Sequence, residues 1–315
     1  MANKLKSRST GLLKKVLCAD NGIDKRHYAL PDVANAFRRD AESLNQGFEA
    51  TAPALAGEAL DKALKKAGRT AQAIDALLIC TCTGYLCPGV SSYVAEHMGM
   101  RNNVYLQDLV GLGCGAAIPL LRSAEGLAAA NRELLIACVA VEICSAAFYL
   151  DDDPGVLISF CLFGDGAAAT LWSGTPGNSR LRCGNFNTVH IPEDRELLRF
   201  VNAEGKLRNK LHRTVPAKAA KAVKHLFDHD QNEPVEAVIA HAGGRDVLDA
   251  IEAEIPGIPP LQDSRAILRD YGNMSSPSVL FALERYLDRQ APESDLWLTS
   301  FGAGFACHSC RIKPV

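Results

Sequence analysis

Ile74-Asp75-Ala76-Leu77-Leu78-Ile79-Cys80 is an apolar run broken by one acid, and Val235-Glu236-Ala237-Val238-Ile239-Ala240 repeats its design. Each run is short and nearly continuous, which reads as a strand buried on both faces. An amphipathic helix precedes each one: Ala54 to Gly68 before the first, Ala217 to His229 before the second. In the other direction, 39 positions separate Asp75 from Cys114, and 37 separate Glu236 from Asn273. After each of those residues an apolar helix begins, Ala116 to Ala130 and Pro277 to Arg289. Each helix leads to another buried strand, Leu134 to Val141 and Leu296 to Phe301. The chain therefore repeats a strand, helix and strand at long period. Helices alternating with apolar strands argue for an α/β fold with buried sheets. We divide it into an N-terminal half, 1–175, and a C-terminal half, 176–315.

Between the repeats, Pro154 to Arg213 breaks the helical pattern. Leu162-Phe163-Gly164-Asp165-Gly166-Ala167-Ala168-Ala169 reads as a tight turn feeding a strand. Lys4 to Cys18 shows no clear strand pattern. The first half is thus expected to lack a first strand, or to have a helix in its place.

A chain of 315 residues with 48% hydrophobic content builds a sizeable core. Its net charge of -2 gives no basic stripe for nucleic acid and no polybasic tract for an anionic membrane. Met1 to Lys15 has no apolar core of signal-peptide length. The apolar stretch from Leu134 to Leu150 is interrupted by Glu142 and reads as a strand and turn rather than a membrane span. A cytoplasmic protein with its 11 cysteines reduced is the expectation. Cys80-x-Cys82 fits alternation along a strand, and Cys307-His308-Ser309-Cys310 falls on a C-terminal strand, so no metal site is expected.

Three further segments carry chemistry. Cys114 lies in Gly113-Cys114-Gly115, where small residues suit a sharp turn into a helix. A helix N-terminus favours a thiolate. His241, in His241-Ala242-Gly243-Gly244, ends an apolar strand, a site position in α/β sheets. Asn273, in Tyr271-Gly272-Asn273-Met274-Ser275-Ser276, is either a site amide or a helix cap. A thiol nucleophile, an imidazole and an amide donor are the parts of acyl transfer through a thioester.

Together these segments resemble the type III polyketide synthases, the chalcone synthase-like branch of the thiolase superfamily. Leu162 to Ala168, Gly22-Ile23-Asp24-Lys25-Arg26, Cys82-Thr83-Gly84-Tyr85 and Thr299 to Phe305 match as well, so the resemblance runs from about Gly22 to the end. It implies a five-layered αβαβα sandwich of two duplicated halves and a homodimer. It also implies catalysis by Cys114, His241 and Asn273. Cys114 takes an acyl group from an acyl-CoA, while His241 and Asn273 support decarboxylation of malonyl-CoA. No metal or redox cofactor is implied, since CoA thioesters serve directly. Phe163 matches a residue that walls the pocket, with Thr83 beside it, and Lys25 and Arg26 match the region that binds CoA phosphates.

The match has departures. Gly115-Ala116-Ala117 follows Cys114 in place of the Phe-Ala-Gly of plant members. Asn209 stands near the position of a second pocket Phe. Cys87, before Pro88, replaces a Met that plant members pass across the dimer interface. These changes point to a bacterial-type enzyme with a differently shaped pocket. Two other readings are weighed. A 3-oxoacyl-carrier-protein synthase III-like enzyme would show His-Gln-Ala-Asn and Gly-Asn-Thr-Ser at the His and Asn, which this chain does not. A non-catalytic truncated subunit is motivated by the short N-terminus and opposed by the intact triad.

Overall fold

The computed structural model describes residues 5–18, 21–30, 40–149, 151–175, 181–230 and 234–315. The two acid-marked runs are strands, β1 (Ala76–Thr81) and β8 (Ala237–Ala240). Each pairs in parallel with the strand that follows its central helix. β1 lies beside β3 (Ile136–Glu142), with Ala76 opposite Ile136. β8 lies beside β9 (Leu296–Gly302), with Ala237 opposite Leu296.

The acids themselves sit one residue before their strands and hold the start of the neighbouring chain. Asp75 Oδ2 accepts from the Leu135 N–H at 2.8 Å. Glu236 Oε2 accepts from the N–H groups of Glu293 and Ser294 at 2.8 and 2.9 Å. The repeated acid therefore ties off backbone donors that the parallel ladder leaves unpaired at its lower edge.

The first sheet has the order β2-β1-β3-β4, with β2 (Tyr105–Val110) at one edge and β4 (Gly166–Trp172) antiparallel to β3. The second has the order β5-β10-β9-β8, adding β5 (Leu181–His190) and β10 (Ala306–Pro314). A hairpin, β6 (Leu198–Ala203) and β7 (Lys206–Leu211), stands apart.

Five layers result. α2 (Ala41–Ala67) and α3 (Val90–His97) cover the outer face of the first sheet. α4 (Ala117–Ala130) touches strands of both sheets and forms the central layer. α6 (Val215–His229) packs on the outer face of the second sheet. α7 (Arg245–Glu254) leans on α6, followed by α8 (Gln262–Tyr271) and the second central helix, α9 (Ser278–Arg289). The central helices share one core with Trp297, Phe301 and Phe305 of the second sheet region. A separate core joins α2 and α3 to Leu77, Ile79 and Val139 on the outer face of the first sheet.

Two segments differ from the sequence expectation. Pro154–Leu162 is a helix, α5, where no helical pattern was expected. Its residues are apolar nearly all round, so the period that marks a surface helix is missing. Its start is fixed by Pro154 in the first turn and by the Asp153 carboxylate, which accepts from the Gly155 N–H at 2.8 Å. The helix expected from Ala54 begins at Ala41, capped by Asp40 and running through Pro53. The N-terminal segment is a helix, α1 (Ser7–Cys18), packed on α5.

One buried ion cluster ties α6 to β10. The Arg311 guanidinium, 3% exposed, donates to Asp230 Oδ2 at 2.9 Å, to Asp295 Oδ2 at 2.9 Å and to the Asp230 carbonyl at 2.6 Å. Asp230→Ala leaves that charge under-compensated and is expected to lower stability by about 3–5 kcal/mol. A urea unfolding midpoint within error of the wild type would contradict this.

Candidate active site

Cys114 lies in a single 3-10 turn, Gly113–Gly115, between β2 and α4. The end of β9 presses directly on this turn. A side chain on Gly302 would come within 2.5 Å of the Gly115 nitrogen and the Leu112 oxygen, so only glycine fits. Gly113 has φ +60° and faces the Ala303 backbone. The two glycines let the first half's nucleophile turn touch the second half's strand end.

His241 follows β8 and is 1% exposed. Its ring packs edge-on against Phe301, with centroids 5.1 Å apart. Burial pushes its pKa down to about 3, so the imidazole is neutral. Its Nδ1 is buried without a hydrogen-bond partner. The tautomer that leaves Nδ1 as an acceptor places the hydrogen on Nε2, where it is free to donate.

Asn273 follows α8 and is aligned by a short parallel bridge to Phe163. Its amide Nδ2 donates to the Gly243 carbonyl at 3.1 Å, which fixes it against the His241 segment. Its Oδ1 accepts from the Ser275 N–H at 2.8 Å. One amide hydrogen remains for a ligand. Asn273 does not cap the following helix, which begins at Ser278 after Pro277; its bond to the Ser275 N–H closes a local Asx-type turn instead.

Ser275 closes the circuit. Its hydroxyl lies 3.2 Å from Cys114 Sγ and 3.3 Å from Glu142 Oε1, joining the nucleophile turn to the Asn273 segment. Glu142, fully buried at the end of β3, lies behind it. The Glu142 carboxylate accepts from Thr81 Oγ1 at 3.2 Å, the Cys82 N–H at 2.9 Å, Thr83 Oγ1 at 2.9 Å and Ser276 Oγ at 2.6 Å. Burial raises its pKa, and these donors oppose that shift. Glu142 and Ser275 were not anticipated as site residues. The signal was present: Glu142 is the one charge in an otherwise apolar strand.

Burial pushes the Cys114 thiol up to about 12, with the Ser275 hydrogen bond working against the shift. Burial thus favours the neutral form of both the Cys114 thiol and the His241 imidazole. The rate at which iodoacetamide alkylates Cys114 is expected to rise about tenfold per pH unit between pH 7 and 10. A plateau below pH 8 would show that the thiolate is already formed.

Phe163, Cys144 and Phe148 pack around Cys114 in one buried cluster. Thr83, Phe163 and Asn209 line a small cavity together. Asn209 is buried and donates to Ser159 Oγ at 2.7 Å. A larger cavity of about 630 Å³ lies alongside, between Phe48, Thr83, Gly113, Phe200, Leu207 and Lys206. Cys87 is exposed and lines neither of these two cavities. Lys25 is exposed, whereas Arg26 is half-buried. The Arg26 guanidinium is engaged within the chain, donating to the Cys161 carbonyl at 2.7 Å and to Tyr28 Oη at 3.1 Å. Asp165 of the Gly-Asp-Gly turn is a fastener, accepting from the N–H groups of Ala29 and Ser145 at 2.7 and 2.8 Å.

The family model for FAE1/Type III polyketide synthase-like protein matches residues 1–224. The model for the C-terminal domain of chalcone and stilbene synthases matches residues 188–307. The chain is 30% identical to 1,3,6,8-tetrahydroxynaphthalene synthase of Streptomyces coelicolor, over 91% of this chain and 79% of that protein. It is 29% identical to 3,5-dihydroxyphenylacetyl-CoA synthase of Streptomyces toyocaensis, over 85% of this chain and 74% of that protein. The crystal structure of the Streptomyces coelicolor synthase superposes with a TM-score of 0.87 at 26% identity, covering 98% of this chain and 89% of that one. The type III polyketide synthase domain of Steely1 from Dictyostelium shares the fold, with a TM-score of 0.90 at 22% identity over 99% of this chain and 92% of that one. The thiolase-like fold, the ordered Cys, His and Asn segments and these matches agree: the chain belongs to the type III polyketide synthase family of acyltransferases.

Proposed function

We propose that this chain condenses an acyl-CoA starter with malonyl-CoA, with Cys114 as the nucleophile and His241 and Asn273 as the donors that support decarboxylation. The observation that carries it is the hydrogen-bonded chain from Cys114 through Ser275, Asn273 and Gly243 to the His241 backbone. In the loading step the Cys114 sulfur attacks the thioester carbonyl and coenzyme A leaves. The thiol proton ends on the departing CoA sulfur, so the exchange is balanced. Malonyl-CoA then binds with its thioester carbonyl facing His241 Nε2–H and the free Asn273 amide hydrogen. Loss of CO2 puts charge on that oxygen, and fixed donors stabilise it most at that moment. The resulting carbanion attacks the carbonyl of the Cys114 thioester; the acyl–sulfur bond breaks, Cys114 leaves as the thiolate, and the chain, two carbons longer, stays on the incoming coenzyme A.

The buried position of both donors strengthens them, because water does not compete there. No metal or redox group is required by this sequence of steps. Exposed Lys25 is the better of the two early basic residues for a CoA phosphate, since Arg26 is committed to Cys161 and Tyr28. Starter and product are those of a polyketide synthase using free CoA thioesters. The matched family models favour that branch over a carrier-protein condensing enzyme.

A second copy of the chain is the expected partner. β2 is a sheet edge, and Tyr105, Leu106 and Val110 on it are 52%, 36% and 52% exposed. An apolar edge strand left open invites another strand. Leu106→Lys is expected to shift the protein toward monomer in sedimentation velocity. An unchanged dimer would move the interface elsewhere, and a monomeric wild type would remove it. No helix among the described residues is long and apolar enough to cross a membrane.

The test of the reaction is incubation with malonyl-CoA and a panel of short, long-chain and aromatic acyl-CoAs, read by mass spectrometry. Extended ketide or pyrone products are expected. A folded protein that neither extends nor decarboxylates any of them would refute the assignment.

A further inference from the structure

Ser275 has one hydroxyl proton and two acceptors for it. Cys114 Sγ lies 3.2 Å from Ser275 Oγ and Glu142 Oε1 lies 3.3 Å from it. A third neighbour, Cys82 Sγ, is 3.3 Å away. Burial keeps the Cys82 thiol protonated, so that thiol is placed to donate to Ser275 Oγ rather than compete for its proton. The hydroxyl must therefore choose between the nucleophile and the carboxylate.

We propose that Ser275 is a further catalytic residue, whose hydroxyl turns to donate to the Cys114 sulfur when that sulfur carries charge and returns to Glu142 when it is acylated. This rests on Cys114 being the nucleophile. Two features make the turn inexpensive. Glu142 Oε1 already accepts from Ser276 Oγ at 2.6 Å, so it stays satisfied when the longer Ser275 bond is released. Glu142 Oε2 holds three other donors and does not depend on Ser275. Ser275 itself is held firmly. It has φ +60°, unusual for a residue with a side chain, and its N–H is fixed to Asn273 Oδ1. The backbone is thus pinned while the hydroxyl rotor is free to swing.

The charge state of the sulfur sets the direction of the swing. A thiolate is a stronger acceptor than a neutral thiol, and a charge-assisted bond from a hydroxyl is roughly twice as strong as a neutral one. Once acylated, the sulfur is a poor acceptor, and Glu142 regains the proton. Glu142 touches no reacting atom and is a positioning residue, although its charge also raises the Cys114 thiol directly. The other titratable groups near Cys114 are the thiols of Cys82 and Cys144, with His241 on the opposite segment.

The test reads thiol reactivity rather than turnover, so it separates this proposal from the assignment of the condensation reaction. The rate of iodoacetamide alkylation at the Cys114 peptide is followed by mass spectrometry from pH 7 to 10. Ser275→Ala removes the donor and is expected to slow alkylation about tenfold at each pH. Ser275→Gly also lacks the hydroxyl, suits φ +60°, and should match the Ala variant. Glu142→Gln removes the competing anion, and alkylation should become faster, by a larger factor with Ser275 present than in the Ser275→Ala background, where only the direct effect of the charge on the thiol remains. Opposite signs at Ser275 and Glu142 are not produced by a loosened pocket, which would raise both rates. Ser275 variants that alkylate within twofold of the wild type overturn the proposal, as does a folded Glu142→Gln that reacts no faster. Should Glu142→Gln fail to fold, the agreement of the two Ser275 variants decides.

Discussion

Cys114→Ala is expected to abolish ketide extension, with product falling on the order of 10⁴-fold or to the detection limit. The substitution removes one sulfur atom from a turn whose backbone is fixed by Gly302 and Gly113, so the fold is expected to survive. The thiol makes one side-chain hydrogen bond there, with Ser275, and that residue retains Glu142 as a partner. What is lost is therefore chemistry. The donors that support decarboxylation, His241 and Asn273, are untouched. Slow release of CO2 from malonyl-CoA should persist in the variant after extension has stopped. Circular dichroism and a CO2-release assay run together check both halves of this expectation. Continued extension by a folded Cys114→Ala protein would move the nucleophile to another of the cysteines.

His241→Ala carries the second large effect and should act on the complementary step. Removing one fixed donor from a developing oxyanion costs about 10²–10³ in rate. Decarboxylation of malonyl-CoA is expected to fall by that factor, while single-turnover acylation of Cys114 falls less. The pH dependence has a definite sign. Burial holds the imidazole pKa down at about 3, so the neutral, donating form persists as pH falls through the ordinary imidazole range. The decarboxylation rate of the wild type should show no acid limb centred near pH 6.5. Such a limb, absent from His241→Ala, would mean that the ring titrates in a far more polar setting than its packing against Phe301 allows.

The duplicated half was legible because its marks are local. Two acids before two apolar runs, and two apolar helices after Cys114 and Asn273, survive as spacing in the chain. The physical reason for the acids emerged only in three dimensions, as caps for the starts of β3 and of the segment before β9. The helix at Pro154–Leu162 stayed hidden because burial on all sides erases the 3.6-residue period. The position of Arg26 followed the same logic. A basic residue in a motif reads as a phosphate ligand, but its guanidinium finds a buried carbonyl and a phenol first. The part of the site behind the thiol was least legible. Ser275 meets Cys114 and Glu142 across sequence separations of 161 and 133 residues that no local pattern encodes. Only the lone charge in β3 hinted at them.

The most direct measurement is intact-protein and peptide mass spectrometry after brief exposure to an accepted acyl-CoA, quenched in acid to trap the covalent intermediate. The acyl mass is predicted on the peptide bearing Cys114, at a stoichiometry approaching one per chain, and absent from Cys114→Ala. Acylation confined to another cysteine, or no acyl adduct with a starter that is nonetheless extended, would contradict the central claim.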